Sequence, residues 1–178
     1  MPDAPPPTST VIRPAVSSDL DALVDVLWAV AAEGRWLGAE VPFDREERRR
    51  RFADMLSSAA AELLVADAQS ADTADIVGFI SVQVAGYGVA DIGMAILESW
   101  RGRGTGRALL ASAIEWAARA GAHKVALEVW PDNGPAIGLY RSAGFVEEGR
   151  KVAHYRRRDG QLWDSLLMGR PLRPDGRR

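Results

Sequence analysis

Residues 92–110 read Ile92-Gly93-Met94-Ala95-Ile96-Leu97-Glu98-Ser99-Trp100-Arg101-Gly102-Arg103-Gly104-Thr105-Gly106-Arg107-Ala108-Leu109-Leu110, an apolar strand that empties through a glycine-rich basic turn into a helix. Glycines at alternate positions (Gly102, Gly104, Gly106) let the backbone turn tightly and bring its N–H groups against a ligand. The start of the following helix adds partial positive charge that favours an anion. Arg101, Arg103 and Arg107 place full charges around the same point. The segment predicts a phosphate cradle; the bland alternative is a glycine-rich turn with exposed arginines.

Spacing narrows the choice of phosphate ligand. A GxGxxG dinucleotide fingerprint requires glycine at 107 or 109, where the chain has Arg107 and Leu109. A nucleotide P-loop requires Gly-Lys followed by Ser or Thr, and no such sequence occurs.

The chain has 178 residues, enough for one domain that buries about two-thirds of its unfolded surface and too few to argue for two. With no cysteine, disulfides, thiolate metal sites and cysteine nucleophiles are excluded. His123 and His154 stand far apart in the chain, so metal-free chemistry is expected. The formal net charge is −2 and the pI is near 5.7, without the basic excess of a nucleic-acid binder. Residues 1–10 are proline-rich, lack the cationic start and apolar run of a signal peptide, and read as a disordered tail. No apolar run reaches the ~18–20 residues of a membrane span. A cytoplasmic protein with no nucleic-acid or membrane partner is expected.

Between residues 11 and 172 the pattern predicts a single α/β domain: a mixed, mostly antiparallel sheet of about six to seven strands with helices on both faces. A short strand at Val11 to Arg13 precedes a helix capped by Ser17 or Ser18, with Leu20, Leu23, Val24, Leu27 and Ala31 inward and Gly34 at its end. A second helix begins at Asp44 with Glu47 completing a capping box. It carries Phe52, Met55 and Leu56 toward the core, and the run Arg48 to Arg51 reads as a solvated face. Strands Glu62 to Ala68, Ile76 to Ala85 and Ala90 to Leu97 suit an antiparallel meander.

The helix Thr105 to Ala120 and the strand Val125 to Trp130 then make a strand–helix–strand crossover, setting the cradle at the carboxyl end of a strand. Pro135 opens a short helix through Ala143. Asp159-Gly160 turns a hairpin between strands Val146 to Arg157 and Leu162 to Met168, and residues 173–178 form a polar tail.

Two motifs, Arg101-x-x-Gly104-x-Gly106 and Leu127-Glu128-Val129 followed by Asn133, Ala136-Ile137-x-Leu139-Tyr140 and Gly144-Phe145, lie about 20 residues apart and are joined by the expected elements. In this order the chain resembles the GCN5-related N-acetyltransferase superfamily over about Val11 to Leu172. The stretches Ala90 to Ala95, Pro131 to Ile137 and Arg158 to Asp164 look most like its bacterial small-molecule branch, the amino-acid and phosphinothricin type. The resemblance implies acetyl-CoA as cosubstrate, held by Arg101, Gly102, Arg103, Gly104, Thr105, Gly106 and Arg107. Ile96 and Leu97 would meet the acetyl end, with a backbone N–H near Ile96 on the acetyl carbonyl, and Asn133 and Ala136 the pantetheine arm. Capping the helix at Pro135 is the alternative role for Asn133.

Strand alternation puts Val125, Leu127 and Val129 on one face and Ala126, Glu128 and Trp130 on the other. Glu128 is thus a carboxylate in an apolar strand, either a general base whose pKa partial burial raises or the partner of an arginine on a neighbouring strand. Tyr140 is either a core tyrosine or, as the resemblance implies, the acid that protonates the departing CoA sulfur. The Glu128 and Tyr140 pair also matches the branch that acetylates ribosomal-protein N-termini. Where many members of the superfamily have proline, this chain has Glu98, a second candidate base.

Acceptor contacts are expected from Glu33, Trp36, Leu37 and Phe43 after the first helix and from His154, Tyr155 and Asp164 near the last hairpin; packed lid residues or surface positions are the alternatives. The expected activity is acetyl transfer to a primary amine, an amino acid or related small molecule. The alternatives are acetylation of protein N-termini or lysines and non-catalytic acyl-CoA sensing. A homodimer is compatible with either.

Overall fold

The computed structural model describes residues 10–69 and 74–172; the expected terminal tails lie almost wholly outside the described residues. Eleven regular elements follow in order: β1 (Val11–Pro14), α1 (Leu20–Ala32), α2 (Arg45–Leu56), β2 (Ala61–Gln69), β3 (Ala74–Val84), β4 (Val89–Ile96), α3 (Thr105–Arg119), β5 (Lys124–Val129), α4 (Gly134–Ser142), β6 (Val146–Arg156) and β7 (Leu162–Pro171). The strands form one seven-stranded sheet in the order β1-β2-β3-β4-β5-β7-β6. Every neighbouring pair is antiparallel except β4 and β5, which run parallel across the α3 crossover. The expected meander and crossover are both present.

Strand alternation splits the interior into two layers. On one face α3 and α4 pack Leu109, Leu110, Ala113, Ala117 and Tyr140 against Ile80, Val82, Val125, Leu127 and Met168. On the other, α1 and α2 pack Leu23, Val24, Val30 and Phe52 against Leu63, Val65 and Phe79. Burying the large side chains of each layer contributes roughly 1.5–3 kcal/mol apiece.

Three local details differ from the sequence reading. Neither Ser17 nor Ser18 caps the first helix: a 3-10 turn at Ser17–Asp19 precedes α1, and the Asp19 carboxylate accepts the Val16 N–H at 2.8 Å while Arg13 Nη1 donates to it at 2.7 Å. Asp44 does cap α2 through the Glu47 N–H, but the Glu47 side chain pairs with Arg51 instead of reaching back. A 3-10 turn at Glu98–Trp100 separates β4 from the glycine loop, so the strand does not run straight into α3.

The pairing of β4 with β5 is short. It covers Val89, Ala90 and Asp91 opposite Lys124, Val125 and Ala126, after which the two strands part. Among the described residues no helix is long and apolar enough to cross a membrane.

Candidate active site

The parting of β4 and β5 opens the sheet into a cleft of about 750 Å³. Residues from both faces line it: Gly102, Gly104, Gly106 and Arg107 at the start of α3, Asn133, Ala136 and Tyr140 beside α4, and Trp36, Glu128, Trp130 and Tyr155 on the far side. Leu97 N–H donates to Val77 O at 2.9 Å, into β3. Alternation along the strand therefore turns the Ile96 N–H away from β3, toward the cleft that Ile96 lines.

The glycine loop is built by backbone conformation. Gly102 and Gly104 have φ +72° and +89°, where side chains are strained, and an added Cβ at either would meet no protein atom within 4 Å. Both therefore face open space with their backbones presented. Gly106 is glycine for another reason: its Cβ would stand 3.1 Å from Leu139 and 3.2 Å from Ile96, so it allows α3 to approach α4 and β4 closely. Capped by Gly104 without a side-chain acceptor, α3 leaves its first N–H groups directed at the same space.

The three arginines diverge. Arg107 is exposed and lines the cleft. Arg103 stacks over Trp100 at 5.4 Å and does not line it. Arg101 is engaged from behind: Nη1 and Nη2 bind the two oxygens of Glu33 at 2.7 and 2.5 Å, and Nε donates to the Ile96 carbonyl at 2.9 Å. Trp36 Nε1 donates to the same Glu33 carboxylate at 2.5 Å. Arg101 and Trp36 hold the Glu33 carboxyl below its usual range, against the opposing effect of burial. Glu33, expected among the acceptor contacts, instead ties the end of α1 to the open end of β4.

Tyr140 is 8% exposed, with its ring tilted on Phe145 at 5.7 Å. Burial pushes its phenol up to about 12, so it holds its proton across the physiological range. Among the described residues no protein group hydrogen-bonds its hydroxyl, and the residue lines the cleft. Asn133 Oδ1 accepts the Ala136 N–H at 3.2 Å, the capping role anticipated as its alternative.

Glu128 corrects an expectation. Burial alone would raise its carboxyl, but Lys151 Nζ donates to Oε1 at 2.5 Å, and Tyr155 and Ser165 hydroxyls donate to Oε2 at 2.6 and 2.8 Å. Together these hold the group below the usual carboxylate range, not above it. Its partner is a lysine on β6 rather than an arginine. Oε2 has both acceptor sites filled, leaving spare capacity on Oε1.

Other nominated residues lie away from the cleft. Glu98 is exposed in its 3-10 turn. Phe43, half-buried in the loop just before α2, packs edge-on against Trp28 of α1 at 4.9 Å, which covers part of its ring. His154 is exposed within an irregularity of edge strand β6 between Lys151 and Tyr155, and only its ring edge touches Tyr155. Asp164 supports that irregularity by accepting the Ala153 N–H at 2.6 Å and pairing with Arg150. Leu97 is half-buried against the core, Thr105 is buried, and neither lines the cleft.

Sequence reasoning missed several supports. Arg157 is 6% exposed, lies 4.4 Å over Trp163, and donates to the carbonyls of Leu37 and Gly38 at 3.2 Å each. Arg158 Nη2 donates to the Pro42 carbonyl at 2.7 Å. The β6–β7 hairpin thereby clamps the α1–α2 loop over the cleft. Asp91, on β4, has its carboxyl raised by burial first and by the Glu128 charge second. Alternating Ala90-Asp91-Ile92 was its visible signal.

A family model described as "Acetyltransferase (GNAT) family" matches residues 28–145. The L-amino acid N-acetyltransferase AaaT of Escherichia coli (strain K12) is 33% identical over 54% of this chain, and the chain spans only 62% of that relative. An aminoglycoside N(6')-acetyltransferase type 1 of Stenotrophomonas maltophilia is 30% identical over 84% of this chain and 94% of its own length. Among solved structures, a phosphinothricin acetyltransferase from Sinorhizobium meliloti in complex with acetyl-CoA shares the fold at a TM-score of 0.79, with 21% identity, covering 92% of this chain and 89% of that one. With the family model spanning most of the domain and the same fold in the solved structure, the chain belongs to the GNAT acetyltransferase family.

Proposed function

We propose that the protein transfers the acetyl group of acetyl-CoA to the primary amine of a small molecule, an amino acid or a related compound. The observation that carries this reading is the continuity of one cleft from the glycine cradle, past Tyr140, to Glu128. The residues fit the cosubstrate. Gly102 and Gly104 present backbone to open space, the α3 N-terminus offers unused N–H groups, and Arg107 adds charge for a pyrophosphate. Ala136 and Asn133 line the gap beside α4, where a pantetheine arm would run.

When bound, acetyl-CoA supplies a thioester whose acyl carbon a neutral amine attacks directly. The Ile96 N–H is the group suited to hold the acetyl oxygen, as an oxyanion-hole donor does. Arg101 holds the Ile96 carbonyl and so fixes the adjoining peptide, that between Ile96 and Leu97. Glu128 stays ionised through the neutral range and accepts the amine's proton at Oε1, directly or through a water. Tyr140 keeps its phenolic proton and donates it to the departing sulfur, recovering one from solvent.

The test is thiol release by purified protein given acetyl-CoA and a panel of free amino acids, aminoglycosides and peptides with free N-termini. Release with small amines is expected. Release with peptides alone would move the reading to protein N-termini, and acetyl-CoA binding without release from any amine would leave an acyl-CoA sensor.

A further inference from the structure

A second cavity, of about 300 Å³, adjoins the cleft. Leu37, Gly38 and Gly93 to Ala95 line both, and the second space continues between α2 and the sheet. Its walls are apolar, with Phe52 and Met55 from α2 and Phe79 from β3, over a floor that includes Ser81 and Gly93. The floor is low because those side chains are small.

Arg51, paired with Glu47, lines this cavity, and so does Arg48. Arg48 stands with Phe52 and Met55 at positions i, i+4 and i+7, on the side of α2 that meets the sheet, where Phe52 is 8% exposed. The sequence pattern assigns Arg48 to Arg51 to a solvated face; among the described residues only Arg50 of that run has no partner or cavity to face. A cation on the inward stripe of a helix calls for an anion. Arg45, Arg49 and Arg51 have theirs in Asp25, Asp21 and Glu47. Among the described residues Arg48 has none. Its guanidinium lies 5.5 Å over the Phe43 ring, which Trp28 backs at 4.9 Å, so the planar head is supported on one face while its in-plane donors remain unused.

We infer that this cavity is the acceptor subsite and that it takes an amine whose apolar body of several carbons ends in a carboxylate-like anion received by Arg48. The inference rests on the proposed acetyl transfer, which sets the amine at the Glu128 end of the cleft. The body then passes over Gly93, where the two cavities meet, and its anion supplies the counter-charge that the described residues do not.

Titration calorimetry on the full chain with CoA added, which permits binding without turnover, compares 5-aminopentanoate and 6-aminohexanoate with pentylamine and hexylamine. The amino acids are expected to bind at least about tenfold more tightly than the alkylamines of equal length, the scale of one charge-assisted hydrogen bond. Arg48→Gln should remove that difference while keeping the circular-dichroism unfolding transition. Equal binding of acids and alkylamines, or a preference that survives Arg48→Gln, overturns the assignment. Should Arg48→Gln fail to fold, Ser81→Leu, which fills the floor, decides: loss of the long acceptors supports the subsite, and their retention overturns it. Thiol release with acetyl-CoA is measured in parallel. Selective, Arg48-dependent binding without release would overturn the acetyl-transfer reading and leave the subsite standing.

Discussion

At the α3 end of the cleft the groups that face the open space are backbone: glycines at φ +72° and +89° and the first amides of a helix. At the β6–β7 end they are side chains, held by pairs drawn from distant parts of the chain. Glu128 meets residues 23, 27 and 37 positions away and Arg157 reaches Leu37 across 120, while between the two ends Arg101 meets Glu33 across 68. A backbone site is sensitive to a single Cβ and almost indifferent to pH. A site of paired charges tolerates shape changes better but responds to protonation and to loss of one partner.

The largest expected effect therefore falls on the backbone end. Gly104→Val puts a β-branched side chain into the space the loop faces, where its Cβ meets no protein atom within 4 Å. Strain of roughly 1–3 kcal/mol at that φ leaves the domain folded, and blocking close approach should weaken acetyl-CoA binding by about 100-fold or more. Calorimetry on the folded variant checks it. Unchanged affinity would break the comparison by removing the anion from the loop.

Tyr140→Phe tests the middle of the cleft. Removing one hydroxyl with no hydrogen-bond partner among the described residues changes packing little, so acetyl-CoA affinity should hold. Turnover should fall by about 10²-fold, the scale of a lost general acid. Steady-state kinetics with full turnover in this variant would return Tyr140 to the core.

The same contrast explains what the sequence made legible. Glycine spacing, the strand before it and the helix after it lie within one short segment, so the place of the glycine loop beside the cleft followed from local pattern. Alternation of Val125, Leu127 and Val129 likewise predicted that Glu128 leaves the core, and it does. Its pKa direction was not legible, because that depends on Lys151, Tyr155 and Ser165 arriving from β6 and β7. Phe43 and His154 show the same limit in reverse: a loop aromatic and a strand histidine carry no mark that separates a lining residue from a packed or exposed one. Arg48 did leave a signal, since the helical period that turns Phe52 and Met55 inward turns Arg48 with them.

Lys151→Met sharpens the acceptor end. With Lys151 present, Glu128 titrates below the ordinary glutamate range, so the acidic limb of the rate profile lies below it too. Removing the ammonium leaves burial opposed only by two hydroxyl donors, and the limb should move to higher pH. A pH–kcat/KM profile measures this. A limb that stays in place with Lys151 removed, but disappears in Glu128→Gln, would show that the lysine does not tune the carboxylate.

The smallest effect belongs to Glu33→Gln, which keeps shape and removes the charge that Arg101 meets. The pair is 24–31% exposed at its side chains, so its net contribution is about 1 kcal/mol, corresponding to a loss of about 2–4 °C in Tm for a chain of this size. The folded-state pKa of Glu33 is depressed, so its stabilisation is fully present above the unfolded glutamate value and is lost as pH falls through the folded one. The Tm gap between wild type and variant should therefore be present at neutral pH and close in acid. Thermal unfolding across that range tests the sign directly. A gap absent at neutral pH as well would mean that Glu33 acts by shape, through the Trp36 and Arg101 contacts that the glutamine side chain can still make, and this tie between α1 and β4 would then depend on packing as the cradle depends on backbone.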